Sequence, residues 1–425
     1  MAIRSIQGTH DILPGAVEVW QRIEDTIRSV FGRYGFAEIR TPVLEWTELF
    51  SRGIGTATEL VQKEMYSLTD SKGRSITLRP EGTAPVIRSY IEHRLDRAAS
   101  VSRLYYIGPM FRHERPQKGR YRQFHQLGIE VIGSESPVVE AEVIEAVIRF
   151  LNELGLHRFD LVVNSVGDAN CRPDYVRKLA AAMEPLLEEF CGQCQNRHKT
   201  NPLRIFDCKV PSCRKLLPRL PRLIDHLCED CRHHHQQFLK WLETLEIDFI
   251  EDPTLVRGLD YYVRTTFELI SDQLGPTQNA ILGGGRYDGL SELLGGPRAP
   301  AYGFALGLER LVLLLSEQGE EDLKFSMPAP DLFLAYLDED SLKECVLIAT
   351  RLRGLGFHVY VDYEGRSLRA QLRLANRLKS RFSCVIGEDE MATGRVKLKQ
   401  MSDGDQIETE IAEMDTILSQ EKANR

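Results

Sequence analysis

Leu104-Tyr105-Tyr106-Ile107-Gly108-Pro109-Met110-Phe111-Arg112-His113-Glu114 runs into Arg115-Pro116-Gln117-Lys118-Gly119-Arg120-Tyr121-Arg122-Gln123-Phe124 and leaves through Gln126-Leu127-Gly128-Ile129-Glu130-Val131. Aromatic and aliphatic residues make strands of the two arms, 104–111 and 126–131, while Pro116, Gly119 and the charges between them make the middle a loop. The unit is a hairpin with a long charged tip. Arg112 stands where a strand end fixes its aim, and its fork of donors matches phosphate oxygens. Glu114 suits an adenine amino group or metal-bound phosphates, and Phe124 suits stacking on a base; the alternative is a solvated tip.

Upstream, residues 18–34 place Val19, Trp20, Ile23, Ile27, Val30 and Phe31 on one helical stripe, ended by Gly32 and Gly35. A strand over 36–40 stops at Pro42, and another covers 75–78. Downstream come a helix over 138–155, a strand over 159–163 and a mostly helical, cysteine-rich insertion over about 170–250. Strands at 266–270 and 279–282 flank a turn around Gly275-Pro276, and 303–315 enters a further helix. Residues 1–325 thus predict an α+β core, an antiparallel sheet flanked by helices and interrupted once. The prolines in Ser326-Met327-Pro328-Ala329-Pro330 mark a linker. Beyond it strands at 331–336, 357–361 and 382–386 alternate with helices at 341–355 and 367–379, so 326–425 reads as a C-terminal α/β domain with a mixed sheet.

The length of 425 residues suits two or three domains, and 42% hydrophobic with 27% charged residues suits a chain folded throughout. A formal charge of -8 argues against a general nucleic-acid coat but leaves room for local basic stripes. The first thirteen residues lack a signal-peptide core, and no run approaches the roughly 18 apolar residues of a membrane span, so a cytoplasmic protein with no membrane partner is expected. Nine cysteines without a secretory signal read as reduced thiols. Gly283-Gly284-Gly285 lacks the spacing of a dinucleotide loop, which excludes the Rossmann reading. Gly303-Phe304-Ala305-Leu306-Gly307-Leu308-Glu309-Arg310 brings one arginine to the start of an apolar helix, where it needs an anionic partner: a phosphate or a structural carboxylate.

Together, the Arg112 hairpin and the glycine-rich segment ending in Arg310 resemble the second and third signature motifs of class II aminoacyl-tRNA synthetases, and 30–44, with Pro42, resembles the first, which implies a homodimer. Within that class the chain resembles the histidyl-tRNA synthetases, over essentially its whole length. The resemblance rests on Arg257-Gly258-Leu259-Asp260-Tyr261-Tyr262, Gly283-Gly284-Gly285-Arg286-Tyr287-Asp288, Leu78-Arg79-Pro80-Glu81-Gly82-Thr83 and Gly8-Thr9-His10-Asp11.

The resemblance implies activation of L-histidine with ATP and Mg²⁺ to histidyl-adenylate, then transfer to tRNA(His). It implies that Glu130 and Tyr262 read the imidazole beside Tyr261, that Glu81, Gly82, Thr83 and Gln126 hold the α-amino and carboxylate groups, and that Tyr287 lines the pocket. ATP would meet Arg112, Glu114, Phe124, Arg257 and Arg310, with Arg112 and Arg257 the catalytic pair on the α-phosphate. An imidazole offers one donor and one acceptor, so a carboxylate with tyrosine hydroxyls suits it, and such a site rejects analogues by roughly 10⁴ to 10⁵ without an editing domain. The insertion would contact the acceptor arm through Arg197, Lys199, Arg204, Lys209, Arg214, Lys215, Arg219 and Arg222; residues 326–425 would bind the anticodon, with Arg366, Arg369, Arg373 and Arg377 on one helical face. The alternative is an inactive, histidine-sensing regulatory paralogue of ATP phosphoribosyltransferase.

Cys191-x₂-Cys194, Cys208-x₄-Cys213 and Cys228-x₂-Cys231 have the spacing of a zinc ribbon. The family resemblance does not call for zinc, so buried reduced thiols are expected, with Cys191, Cys194, Cys228 and Cys231 the ligand set if a metal is held. His233-His234-His235 could add a ligand, but a polar helix face is the more common role of such a run.

Overall fold

A computed structural model describes residues 3–55, 58, 60–275, 279–317 and 329–423. Pro276 of the expected turn and Ser326-Met327-Pro328 of the expected linker lie outside these residues. The chain divides into two compact units, whose described parts are 3–12 with 18–317, and 13–17 with 329–423.

In the first unit the strands are β1 (Ala37–Glu38), β2 (Leu44–Trp46), β3 (Tyr66–Thr69), β4 (Ser75–Leu78), β5 (Ser102–Phe111), β6 (Gln123–Ile132), β7 (Asp160–Ser165), β8 (Ile250–Glu251), β9 (Val263–Ile270), β10 (Ala280–Arg286) and β11 (Ala301–Gly307). The main helices are α1 (Val17–Arg33), α2 (Thr83–Glu92), α3 (Pro137–Glu153), α4 (Glu229–Thr244) and α5 (Leu308–Glu317). Eight strands form one sheet in the order β1-β5-β6-β11-β10-β9-β7-β8. Its six central strands are antiparallel, while the two-residue edges β1 and β8 pair in parallel. β2, β4 and β3 form a small separate sheet.

Strand alternation decides where the site falls, because successive side chains point to opposite faces. On β6, Leu127, Ile129 and Val131 join Tyr105, Phe267, Leu269, Tyr302 and Phe304 in one core, covered by Ile23, Ile27 and Phe31 of α1 and by Ile144, Val147 and Phe150 of α3. Each such buried aliphatic or aromatic side chain contributes roughly 1.5–3 kcal/mol. The intervening Gln126 and Glu130 fall on the other face, where the buried neighbours are Tyr106, Tyr261, Tyr262, Tyr287 and the insertion's cysteines. The first face is mainly an apolar core of aliphatic and aromatic side chains; the second adds the hydroxyls, carboxylates and thiols around Gln126 and Glu130.

The second unit has β12 (Leu332–Tyr336), α6 (Glu339–Gly354), β13 (Val359–Val361), α7 (Leu368–Arg377), β14 (Phe382–Ile386), β15 (Arg395–Gln400), β16 (Gln406–Glu410) and α8 (Met414–Ala423). The order β13-β12-β14-β15-β16 is parallel through β14 and antiparallel beyond, the expected mixed sheet. Asp338 caps α6, its carboxylate accepting the Ser341 N–H at 2.8 Å. Arg366, Arg369, Arg373 and Arg377 are all exposed, as their spacing predicts; Gln371, Leu374 and Ala375 are the buried residues of α7.

Candidate active site

Glu81 precedes the first turn of α2, and its carboxylate accepts the backbone N–H groups of Thr83 and Ala84 at 2.7 and 3.0 Å. Burial raises its pKa above the ordinary 4.5, against the pull of these donors and of Arg112. The Thr83 hydroxyl donates to Glu130 Oε1 at 2.7 Å, and the Tyr287 hydroxyl donates to Oε2. Glu130 is fully buried, which pushes its pKa up to about 8; the two hydrogen bonds oppose the shift and Glu81 adds to it. Tyr261 packs between Tyr262 and Tyr287, with ring centroids 4.7 and 5.7 Å away. Gly82 lies against the ring of buried Tyr106, where a Cβ would stand 2.2 Å from Cζ.

The three arginines come from three elements. Arg112 follows β5, its Nε donating to the Pro80 carbonyl at 2.8 Å and its guanidinium lying 5.2 Å from the centroid of Phe124. Glu114 bridges it to Arg120, with N–O separations of 3.6 and 3.1 Å. The Arg122 N–H donates to the Gly8 carbonyl at 2.7 Å, so the Gly8–Asp11 motif pins the hairpin loop. Arg257 pairs with Glu268 of β9 and lies 5.9 Å over the Tyr262 ring. Arg310, in the first turn of α5, donates to the Ala280 carbonyl; burial lowers its pKa, with the Arg120 charge acting in the same direction.

All three arginines line one cavity of about 430 Å³ together with Glu81, Thr83, Glu114, Phe124, Gln126, Tyr261 and Tyr262. Gln126 Oε1 is buried there without a hydrogen-bond partner among the described residues, an acceptor awaiting a donor. Glu130, Tyr287 and Gly82 do not line the cavity. Glu130 sits behind Thr83, and Tyr287 is its support; for Tyr287 the expected place on the pocket wall is corrected to one behind it, because its hydroxyl is spent on Glu130.

Other groups at the site have no local signature in the sequence. Arg204 and Asp207 of the insertion line the cavity, paired at 2.9 Å, and Arg204 donates to the Gly258 carbonyl at 2.9 Å. Arg204 therefore leaves the expected RNA-facing set. Glu309 accepts the His125 N–H at 2.8 Å through Oε1, while its buried Oε2 has no hydrogen-bond partner among the described residues. The histidine run is also corrected. His234 and His235 are buried, and His234 Nε2 meets Glu140 at 2.7 Å. Glu140 in turn pairs at 2.6 Å with Arg286, which is wholly buried and reaches Asp288 at 2.9 Å. This charge network holds the end of β10, from which Tyr287 projects.

A sheet of this order, with an arginine after β5, another in α5 and a cavity between them, is the architecture of a class II aminoacyl-tRNA synthetase. Residues 8–311 match the family model for histidyl-tRNA synthetase, and 331–421 match an anticodon binding domain. Histidine--tRNA ligase of Syntrophotalea carbinolica is 48% identical over 406 residues, covering 96% of each chain. That of Solibacter usitatus is 50% identical over 409 residues, again covering 96% of each. The crystal structure of apo S. aureus histidyl-tRNA synthetase superposes with a TM-score of 0.82 at 39% identity, covering 98% of this chain and 100% of that one. The chain belongs to the histidyl-tRNA synthetase family.

Proposed function

We propose that the chain charges tRNA(His) with histidine by way of an adenylate made in the 430 Å³ cavity. The observation that carries the reading is the convergence there of Arg112, Arg257 and Arg310 with Glu81, Gln126 and the tyrosines. Arg112 and Arg257 flank the α-phosphate while the histidine carboxylate attacks it and pyrophosphate leaves. The nucleophile is already an anion, so stabilising charge on the phosphoryl oxygens is the main catalytic task. Arg310 meets the γ-phosphate, Phe124 stacks on adenine and Glu114 faces its amino group. Glu81 and Gln126 accept from the α-amino group, and Tyr262 with Glu130 reads the ring.

Mg²⁺ would bind through phosphate oxygens, with Glu309 the nearby hard-oxygen donor; its Oε2, buried in the cavity wall without a hydrogen-bond partner among the described residues, fits that need. It would supply charge neutralisation at the leaving pyrophosphate. The terminal ribose hydroxyl of tRNA then attacks the adenylate carbonyl, with a phosphate oxygen as base.

The same reading assigns 1–325 to catalysis and 326–425 to the anticodon, with the exposed arginines of α7 on RNA phosphates and Arg197, Lys199, Lys209, Arg214, Lys215, Arg219 and Arg222 of the insertion toward the acceptor arm. Leu44, Trp46 and Leu68, exposed on the small sheet, offer an apolar face to a second copy in a cytoplasmic homodimer. A regulatory, histidine-sensing paralogue has no need of three arginines in one cavity. ATP–pyrophosphate exchange with each amino acid in turn tests the reading: histidine alone should support it, and Arg257→Ala should abolish most of it. Exchange without histidine, or full exchange in the variant, would refute the assignment.

A further inference from the structure

Seven of the nine cysteines gather in two places; each close-spaced pair stays together, and the fold decides which pairs meet. The Sγ atoms of Cys191, Cys194, Cys208 and Cys213 all lie within 4.8 Å of one another; Cys171, Cys228 and Cys231 form a second group with Asp168. The expected ligand set of Cys191, Cys194, Cys228 and Cys231 is thereby split, each pair finding other partners. The reason is topological: Cys191 and Cys194 bracket the start of helix Gly192–Thr200, and the turn Pro202–Asp207 brings Cys208 back over them.

We propose that Cys191, Cys194, Cys208 and Cys213 bind one structural zinc ion. Zn–S bonds of about 2.3 Å put tetrahedral ligands about 3.8 Å apart. Cys191 and Cys208 Sγ stand 3.9 Å apart. That is far beyond the roughly 2.05 Å of a disulfide, and all nine cysteines are free thiols. The Cys191 N–H donates to Cys213 Sγ at 3.2 Å, the kind of bond that steadies a thiolate ligand. Four soft donors, three of them buried, close the coordination shell, which makes the site structural rather than catalytic. In the second group Asp168 is already engaged with Arg264 at 3.7 Å and with the Asn170 N–H at 2.9 Å, and no metal is assigned to it.

The site holds a loop that reaches the active centre. Between Cys194 and Cys208 lie Asn201, whose amide donates to Asp260 at 3.1 Å, and Arg204, which holds the Gly258 carbonyl. Both contacts brace the segment that carries Arg257, Tyr261 and Tyr262. This bracing role rests on the proposed function; the metal site does not.

The test uses the full chain, stripped with a chelator under reducing conditions and reloaded with Zn²⁺ or Co²⁺. Elemental analysis should show about one more zinc per chain in the parent than in Cys191→Ser/Cys208→Ser, with no such loss in Cys228→Ser. The Co²⁺-loaded parent should give the ligand-field and thiolate charge-transfer bands of a tetrahedral tetrathiolate centre. Should the double variant fold poorly, the parent still decides: loading should shield about four thiols from a thiol reagent, and chelation should expose them. No zinc and no cobalt bands in the reduced parent, or zinc lost in Cys228→Ser but kept in the double variant, would overturn the site. Pyrophosphate exchange on the same samples should fall at least tenfold on stripping; unchanged exchange with zinc demonstrably removed would overturn the bracing role alone.

Discussion

The guanidinium of Arg257 occupies the space that a side chain at Gly283 would need. A Cβ built there would stand 2.3 Å from Nη1, and Gly283 is paired in register with Glu268, the carboxylate that holds the arginine. The first glycine of the Gly283–Gly285 run therefore serves the arginine. Gly283→Ala should displace Arg257 and cost about 10²–10³ in the rate of histidine-dependent pyrophosphate exchange, the usual loss for one transition-state donor, with only a small change in melting temperature. An active Gly283→Ala enzyme would show that Arg257 works from some other position.

Glu130 sets a pH dependence of stability. Its folded pKa, about 8, lies above the ordinary 4.5, so between those values the folded state holds a proton that the unfolded chain has lost. Stability should thus fall as pH rises through this window, and Glu130→Gln should be spared. Urea midpoints of the two proteins should diverge in favour of the variant between pH 5 and about 8; parallel profiles would refute the assignment.

The Arg286–Glu140 pair is buried at both ends. Removing one partner leaves an uncompensated charge, and Glu140→Ala should cost about 3–5 kcal/mol in denaturant unfolding. The Arg286 charge and the His234 contacts outweigh the burial penalty and hold the Glu140 pKa below 4.5. Its contribution is accordingly present at neutral pH and disappears as pH falls below that value. An acid limb unchanged in the variant would count against this.

The exposed stripe on α7 should act on RNA alone. Reversing Arg369 and Arg373 to glutamate should raise KM for tRNA and flatten its salt dependence, each lost phosphate contact lowering the slope by about 0.7–0.9, while pyrophosphate exchange stays unchanged. Altered exchange would mean that the stripe serves the fold instead.

Much of this was readable in advance because the signals were local. The hairpin arms, the arginine before its loop, the α1 stripe and the alternation of strands and helices after 330 all rest on periodicity or on a residue type at a strand end. β15 has such a signal as well: buried Val396 and Leu398 alternate with exposed Arg395, Lys397 and Lys399. The rest was set by tertiary partners. Nothing near Arg204 shows that it turns to the Gly258 carbonyl instead of solvent, and cysteine spacing alone cannot say that Cys194 meets Cys208 while Cys231 meets Cys171. The histidine run misled for the same reason, since Glu140 lies 94 residues away from His234.

On the proposed reading a histidine ring must reach Glu130 past Thr83, and it finds both carboxylate oxygens already engaged, one by Thr83 and one by Tyr287. Recognition there is an exchange of partners. An imidazole returns a hydrogen bond for the one it displaces, whereas a ring of the same size without a matching N–H displaces a hydroxyl and returns nothing. On that reading selectivity lies less in what histidine gains than in what every competitor forfeits, and the two hydroxyls that set it are in place before any substrate arrives.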